Sequence, residues 1–560
     1  MQTTDKLSCR IIARLLVEHG VEDVVISPGS RNAPLIIAVS RQKDLRCHVV
    51  IDERSAAFFA LGIALQTGKA VALVCTSGSA VLNYGPALAE AFYRHVPLIA
   101  ISADRPEEWI DQDDSQTIHQ TAVLDNIVKA SFEIGVETDS KVNDIYISRK
   151  INDALILAMR SPRGPVHINV RLDEPLGRLA DDSDDDVRVI EDVGDAPCQL
   201  SDYECQALAR KISSSRTLVI AGFASPDREL DGAIASFVRQ TGAVVMHEAQ
   251  SNIHLSPSVS HIDATLSVMN KDELVRLAPQ LVITFGGSIV SRMVKRYLRE
   301  AEGVEHWHIG RNPNSIDCFM KLTHRIECEP RDFFNYMALE IDYNDNREFL
   351  KGWIAKAAEA RQRVTSFYAA CPWSDFYAIG RMINFTPRSW NIQLGNGTSV
   401  RYAQLFEYSA LNRIECNRGV SGIDGSTSTA IGAHIYYDDV TMLITGDMSM
   451  AYDVGALALT EITPRFKIAV LNNGGGGIFR FISSTSSLEE CERYFAADVR
   501  LPLAQLAEAY GFAYFEACDK ESFDRALVGF ASEKERPALL NIITPPQESA
   551  VVLKKFFNLQ

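Results

Sequence analysis

The chain reads as three doubly wound α/β domains with mainly parallel sheets. Three observations predict this. Short apolar, β-branched runs alternate with helix-forming stretches, the signature of repeated βα units. The alternation falls into three blocks separated by strongly polar stretches. At 560 residues the chain is too long for one hydrophobic core, so roughly two to four domains are expected.

In the first block, residues 1–180, strands are predicted at 21–27, 47–52, 70–76, 96–102 and 164–170, with helical stretches between them, for example 55–67. The acidic run 181–186 is too charged to pack, and 181–190 reads as a solvated linker. The second block, 191–345, has strands at 217–223, 242–248 and 280–286. Its Gly286-Gly287-Ser288 turn does not match G-x-G-x-x-G, so a dinucleotide site is not supported. It ends in a polar turn cluster at 342–346, ahead of a charged helix at 347–363. The third block, 346–560, has strands at 389–397, 441–447, 467–473 and 537–544, with a helix expected over 451–460.

Composition narrows the function. Hydrophobic residues make up 46% and charged residues 23%, as in an ordinary soluble globular protein. A net charge of −16 argues against nucleic acid as the main partner, because phosphate binding needs a basic face. The 11 cysteines are scattered without CxxC pairs, which suits reduced thiols rather than a disulfide framework. His306-x-His308 alone is a weak zinc pair. The N-terminus carries no signal pattern, and no apolar run reaches the ~20 residues needed to span a bilayer. A cytoplasmic enzyme is the expectation.

Two short motifs carry the chemistry. Gly446-Asp447 closes one apolar run and Asn472-Asn473 closes the next. A strand–helix–strand unit puts both ends on one edge of a parallel sheet, where such folds bind ligands. Asp447 offers a carboxylate oxygen, Asn473 an amide oxygen and Gly475 a nearby carbonyl. These hard ligands suit Mg²⁺ (Mn²⁺ is an alternative) carrying a diphosphate. Glycines 474–477 let the backbone turn tightly around the ion, and Asn472 is read as supporting the turn. The plainer reading makes Asp447 a helix cap. The paired motifs resemble the thiamine diphosphate motif, which implies that cofactor. Its C2 proton must then be removed by an internal base, promoted by a carboxylic acid bonded to the pyrimidine ring. Glu53 is the candidate. It follows a predicted buried strand and precedes a helix rich in Ala and Phe, a setting that favours its neutral form. Its plainer reading is a helix-start acid stabilised by the dipole. Ile423 is the candidate for the bulky apolar side chain that bends the cofactor. Gly476, Ile478 and Phe479 complete the contacts implied.

Further blocks narrow the family. Ser27-Pro28-Gly29-Ser30-Arg31-Asn32, Ala103-Asp104-Arg105-Pro106, Asn417-Arg418-Gly419 and Ser421-Gly422-Ile423-Asp424-Gly425 join the stretches around Glu53 and Asn473. Together, in order along the whole chain, they resemble the 2-succinyl-5-enolpyruvyl-6-hydroxy-3-cyclohexene-1-carboxylate synthases of menaquinone biosynthesis. The resemblance implies decarboxylation of 2-oxoglutarate and 1,4-addition of the succinyl carbanion equivalent to isochorismate. It assigns these dicarboxylates to Arg31, Arg105, Arg292, Arg401 and Arg418, with Ser30 and Gln116 as polar contacts; arginine's planar fork matches carboxylates. It implies a homodimer or homotetramer with active sites at subunit interfaces. Two departures stand out. Gly397 stands where some members carry a Ser, so a hydroxyl contact is either lost or moved to Thr398 or Ser399, and Ser291 stands where some members carry a Lys. The rival readings are another thiamine diphosphate-dependent 2-oxoacid decarboxylase or carboligase, and a non-catalytic thiamine diphosphate-binding module. The arginine set disfavours the first and the intact Glu53 the second.

Overall fold

The computed structural model describes residues 2–138, 140–181, 187–194, 200–341, 346–408 and 412–558. The core of the predicted acidic linker and most of the 342–346 turn cluster lie outside the described residues. The chain forms two compact units. The first comprises Met1–Asp195, Gly419–Thr441 and Tyr452–Phe466; the second comprises Ala196–Arg418, Met442–Ala451 and Lys467–Gln560.

In the first unit, six strands lie in the order Arg46–Val49, Asp23–Ile26, Val71–Cys75, Leu98–Asp104, Val166–Arg171 and Ser131–Ile134, every pair parallel. The central strands are buried on both faces, which is why they read as continuous apolar runs. Strand order reverses direction between Asp23–Ile26 and Val71–Cys75, and ligands bind beyond the strand ends at such switch points. A small antiparallel pair, Gln2–Thr4 with Leu179–Asp181, stands apart.

The helix Glu53–Thr67 has an unusually apolar circumference. Asp52 caps it by accepting from the Arg54 and Ser55 amides, and Gly68 ends it in the left-handed conformation. It is buried from Ser55 to Ala64 because the sheet packs on one side and the helix Ser426–His434 on the other. Those two helices meet backbone to backbone. A Cβ at Gly62 would lie 2.0 Å from the Thr429 carbonyl oxygen, and one at Gly432 would lie 2.0 Å from that of Phe59.

A buried charge cluster ties the three segments of this unit together. Asp23 accepts from Arg46, His48 and the Tyr436 hydroxyl, and His48 Nδ1 lies 3.5 Å from Glu461. Burial opposes both charges, but the hydrogen bonds win: Asp23 falls to about 2 and His48 rises to about 9. The sign of the pH effect follows. Asp23 contributes stability above its ordinary 3.8, lost as pH falls through about 2; His48 contributes below its ordinary 6.5, lost as pH rises through about 9. His48→Gln is therefore expected to lower the melting temperature most near about pH 6, with a deficit that shrinks as pH rises past about 9. A pH-independent deficit in a melting series would show that the pairing is not what stabilises this cluster.

The second unit holds two sheets. Five parallel strands lie in the order Val244–His247, Thr217–Ala221, Leu281–Phe285, Glu305–Ile309 and Leu322–Ile326. His306 and His308 point to one face of their strand and both meet Thr284 Oγ1, at 2.8 and 2.9 Å. Burial lowers both rings to about 4, so they are neutral partners of a hydroxyl. Another six strands lie in the order Arg413–Cys416, Asn391–Leu394, Thr441–Gly446, Phe466–Asn472, Ala538–Ile543 and Ala513–Ala517. The order reverses between Asn391–Leu394 and Thr441–Gly446, so the Gly395-Asn396-Gly397 turn and Asp447 flank a switch point. A Cβ at Gly395 would meet Thr445 Oγ1 at 2.6 Å.

Every run read as a strand overlaps one. The expected helix over 451–460 does not form as such. Asp447–Tyr452 is a short α-helix and Val454–Ala458 a 3₁₀ turn. The break comes at Asp453, whose buried carboxylate accepts from the Ser428 amide and hydroxyl instead of continuing the helix. Among the described residues no helix is long and apolar enough to cross a membrane.

Candidate active site

In the first unit, Glu53 opens its helix and is half-buried. The strand before it, Arg46–Val49, is not buried as the sequence suggested. It is the edge of the sheet, with Val49 and Ile51 exposed, because its inward partners are the polar Asp23 and Tyr436. The helix beyond it is apolar as expected. The buried Tyr84 phenol and Cys75 thiol are both pushed up, by burial first, and the charge of Glu53 adds to each. Arg54, the next residue, donates to the Tyr452 carbonyl at 2.9 Å and stacks on its ring, pinning the helix start.

The switch-point loop brings Arg31 and Arg105 together. Gly29 packs so closely on Thr76 that a Cβ would lie 2.4 Å from it. Arg31 is buried, donates to the Leu172 carbonyl and pairs with Glu174 at 3.2 Å. Burial and then the neighbouring Arg105 pull its pKa down, against Glu174 and Asp114. Arg105 is held by Asp114 at 2.7 Å and by the Ser115 carbonyl at 2.8 Å. Ser30 and Gln116 are exposed, Gln116 with φ +56°, and a Cβ on Gly78 would lie 3.3 Å from the Gln116 carbonyl oxygen. Ile423 is half-buried in the same unit, after Ser421 in the left-handed region.

In the second unit, Asp447 is buried at the switch point. Its Oδ1 accepts from the Met448 amide and its Oδ2 from the Gly475 amide, both at 2.7 Å. Burial raises it to about 6, against those backbone donors. Each oxygen keeps a lone pair for a further ligand. Asn473 is buried; its Nδ2 donates to Asp375 at 2.7 Å, and among the described residues nothing donates to its Oδ1. Asp375 thus fixes which end of the amide is left available for a ligand. Gly475 has φ +107°, and a Cβ there would lie 2.1 Å from the Ala496 carbonyl oxygen, so only glycine fits. A buried carboxylate, a partnerless amide oxygen and a tight glycine turn fit a hard cation and its diphosphate. Asn472 reaches Asn541 on the neighbouring strand, a support of the turn. Gly476 donates to the Ala496 carbonyl, while Ile478 and Phe479 are half-buried on the short helix Gly477–Phe481.

Arg292, Arg401 and Arg418 also gather in this unit. Burial, then Arg292 and Arg418, lower the pKa of Arg401, with Asp263 and Glu248 opposing. Arg418 donates to Asn396 at 3.0 Å. Ser291 is buried and caps the helix Arg292–Glu300, its hydroxyl accepting from the Val294 amide and bonded to Asp263. Gly397 has φ +95°, which strains any side chain, so a Ser there would be disfavoured.

Residues 9–123 match the family described as thiamine pyrophosphate enzyme, N-terminal TPP binding domain. Residues 198–381 match the middle domain of thiamine pyrophosphate, and 395–542 the C-terminal TPP binding domain. A 2-succinyl-5-enolpyruvyl-6-hydroxy-3-cyclohexene-1-carboxylate synthase of Porphyromonas gingivalis is 38% identical over 99% of this chain and 97% of its own length. One of Flavobacterium psychrophilum is 39% identical over 96% of each chain, and one of Bacteroides fragilis 35% over 99% of each. The chain belongs to the 2-succinyl-5-enolpyruvyl-6-hydroxy-3-cyclohexene-1-carboxylate synthase family. It is a thiamine diphosphate-dependent enzyme with the three α/β domains of that fold.

Two side chains that support this synthase's glycine turn escaped the sequence reading. Arg480 is buried and donates to the carbonyls of Asn473 and Gly474 at 3.1 and 3.0 Å, while Glu492 balances its charge at 2.9 Å. An arginine directly after GGGGIF was the available signal. Asp375 left none, since it lies far from the motif in sequence and reaches Asn473 only through the fold.

Proposed function

We propose that Glu53 holds and moves the proton that activates bound thiamine diphosphate, while Asp447, Asn473 and the Gly475 carbonyl hold Mg²⁺, with Mn²⁺ able to replace it, on the diphosphate. The reaction is that of the family. 2-Oxoglutarate is decarboxylated and the succinyl carbanion equivalent adds 1,4 to isochorismate, giving 2-succinyl-5-enolpyruvyl-6-hydroxy-3-cyclohexene-1-carboxylate and CO₂ in menaquinone biosynthesis. When bound, the cofactor supplies the electron sink for the electrons left by departing CO₂. The single observation that carries the metal assignment is the buried Asn473 Oδ1, to which nothing donates among the described residues, while Asp375 holds the Nδ2 end of the same amide. A lone buried amide oxygen costs stability unless a ligand satisfies it.

The chain's own residues do the rest. Ile423, Gly476, Ile478 and Phe479 pack on the cofactor and keep water from it. Arg31, Arg105, Arg292, Arg401 and Arg418 orient the two dicarboxylates, with Ser30 and Gln116 as polar contacts. The lowered pKa values of Arg31 and Arg401, set by burial and like-charged neighbours, support this, because a bound carboxylate would add further opposite charge to these crowded cations. Thr398, half-buried beside Gly397, takes the hydroxyl role in preference to the buried Ser399. The active enzyme is a cytoplasmic homodimer or homotetramer with sites at subunit interfaces. The exposed Val49 and Ile51 next to Glu53 support that assembly. The domains run 1–180 for the pyrimidine side, 191–345 for the centre and 346–560 for the diphosphate side, each with a parallel sheet of its own.

One assay tests the reading: purified protein with thiamine diphosphate, Mg²⁺, 2-oxoglutarate and isochorismate, following isochorismate absorbance. Consumption that needs both substrates and the metal is expected. Consumption of 2-oxoglutarate indifferent to isochorismate would point to a plain decarboxylase instead.

A further inference from the structure

The stretch 248–252, Glu-Ala-Gln-Ser-Asn, is fixed by hydrogen bonds that run to all three arginine-bearing segments of the second unit. Glu248, Gln250, Ser251 and Asn252 are buried. Glu248 accepts from the Ser291 amide with Oε1 and the Val290 amide with Oε2, both at 2.7 Å, and so sets the start of the helix that Arg292 opens. The Ala249 amide donates to Gln404 Oε1 at 2.9 Å. Gln404 Nε2 donates to Gln250 Oε1 and to the Val400 carbonyl, both at 3.0 Å, which holds the helix Thr398–Ala403 and its Arg401. Asn252 accepts from the Ile414 amide and donates to the Ile414 carbonyl, both at 2.9 Å, in the manner of a neighbouring strand. The strand so held leads into Asn417 and Arg418. Gln250 Nε2 donates to Glu248 Oε2 at 2.6 Å and joins the first two links, while Ser251 anchors the stretch on the Ala221 carbonyl.

We propose that residues 248–252 form a positioning hub that sets the spacing of Arg292, Arg401 and Arg418, and thereby the affinity of the enzyme for its dicarboxylate substrates. The inference rests on the substrate-binding role of those arginines proposed above. Three like charges crowd one another, so their separation has to be imposed by the scaffold behind them. None of the hub side chains needs to touch substrate; Gln250 and Gln404 act through Arg401, and Glu248 through the helix of Arg292.

Gln250→Met removes the central link while keeping side-chain length. In the full-length enzyme it is expected to raise KM for a dicarboxylate substrate about tenfold, with kcat within about twofold and Mg²⁺–thiamine diphosphate affinity unchanged. In an Arg401→Ala background the same change is expected to add less than about twofold, because partners in one network are not additive. General loosening of the fold would instead multiply the two effects. An unchanged KM in Gln250→Met, or full additivity with Arg401→Ala, overturns the hub. If Gln250→Met fails to fold, Gln404→Met cuts the same link and is read in the same way. Arg401→Ala with wild-type KM for both substrates would sink the arginine reading itself, and the hub with it. Arg401→Ala with raised KM beside a silent Gln250→Met sinks the hub alone.

Discussion

Glu53→Gln is expected to lower kcat by about 10²–10⁴-fold, the range that loss of a positioned acid–base group produces. The substitution keeps the shape and one acceptor oxygen but removes the proton that the carboxyl group holds and moves. The helix start does not depend on that side chain. Asp52 supplies the cap, and Arg54 is anchored on the Tyr452 carbonyl. The metal ligands proposed here are different residues, so Mg²⁺-dependent binding of thiamine diphosphate should persist with near wild-type affinity. Steady-state kinetics beside a cofactor titration separate the two effects. Wild-type turnover in the variant would show that Glu53 is only a helix-start acid.

Asp447→Asn is expected to weaken thiamine diphosphate binding at least about 100-fold, roughly 2.7 kcal/mol, at a fixed Mg²⁺ concentration. The carboxylate now accepts the Met448 and Gly475 amides and keeps lone pairs for a cation. An amide in its place turns an NH₂ donor toward one of those N–H groups and removes the ionic charge. Asp375→Asn is the milder companion, since it reaches the proposed metal site through the orientation of Asn473, although Asp375 also accepts from the Thr544 hydroxyl; such supporting partners cost about 10–100-fold in metal affinity. Thermal shift with and without Mg²⁺ and cofactor reads both. Each variant should melt near the wild-type apo protein and gain little on adding the pair. A full gain by Asp447→Asn would remove this residue from the metal site.

The sequence made the buried parallel strands legible because strands covered on both faces are apolar throughout. Ser131–Ile134, Leu322–Ile326 and Arg413–Cys416 were not foreseen; the first two are mostly solvent-accessible sheet-edge strands, and the third carries Arg413 and Glu415 inside its run. Glu305–Ile309 was hidden by His306 and His308, whose buried rings are paid for by Thr284. The helix expected between the two cofactor motifs failed because Asp453 is drawn into Ser428, a partner that no local pattern announces. Of the residues proposed to hold the metal, Asp447, Asn473 and Gly475 could be singled out from sequence because each ends or follows an apolar, β-branched run. Asp375 and the stretch 248–252 could not, since their hydrogen bonds to Asn473, Gln404 and Ile414 span long sequence separations.

The crossing at Gly62 and Gly432 closes a route by which packed positions usually exchange volume. When two side chains touch, one can shrink as the other grows. Here each glycine faces a main-chain oxygen, that of Thr429 or of Phe59, which every amino acid carries. No substitution on either helix can make room for a side chain on the other. The two positions are therefore uncoupled from mutational compensation, and any drift at either must move a helix, including the one whose first residue is Glu53.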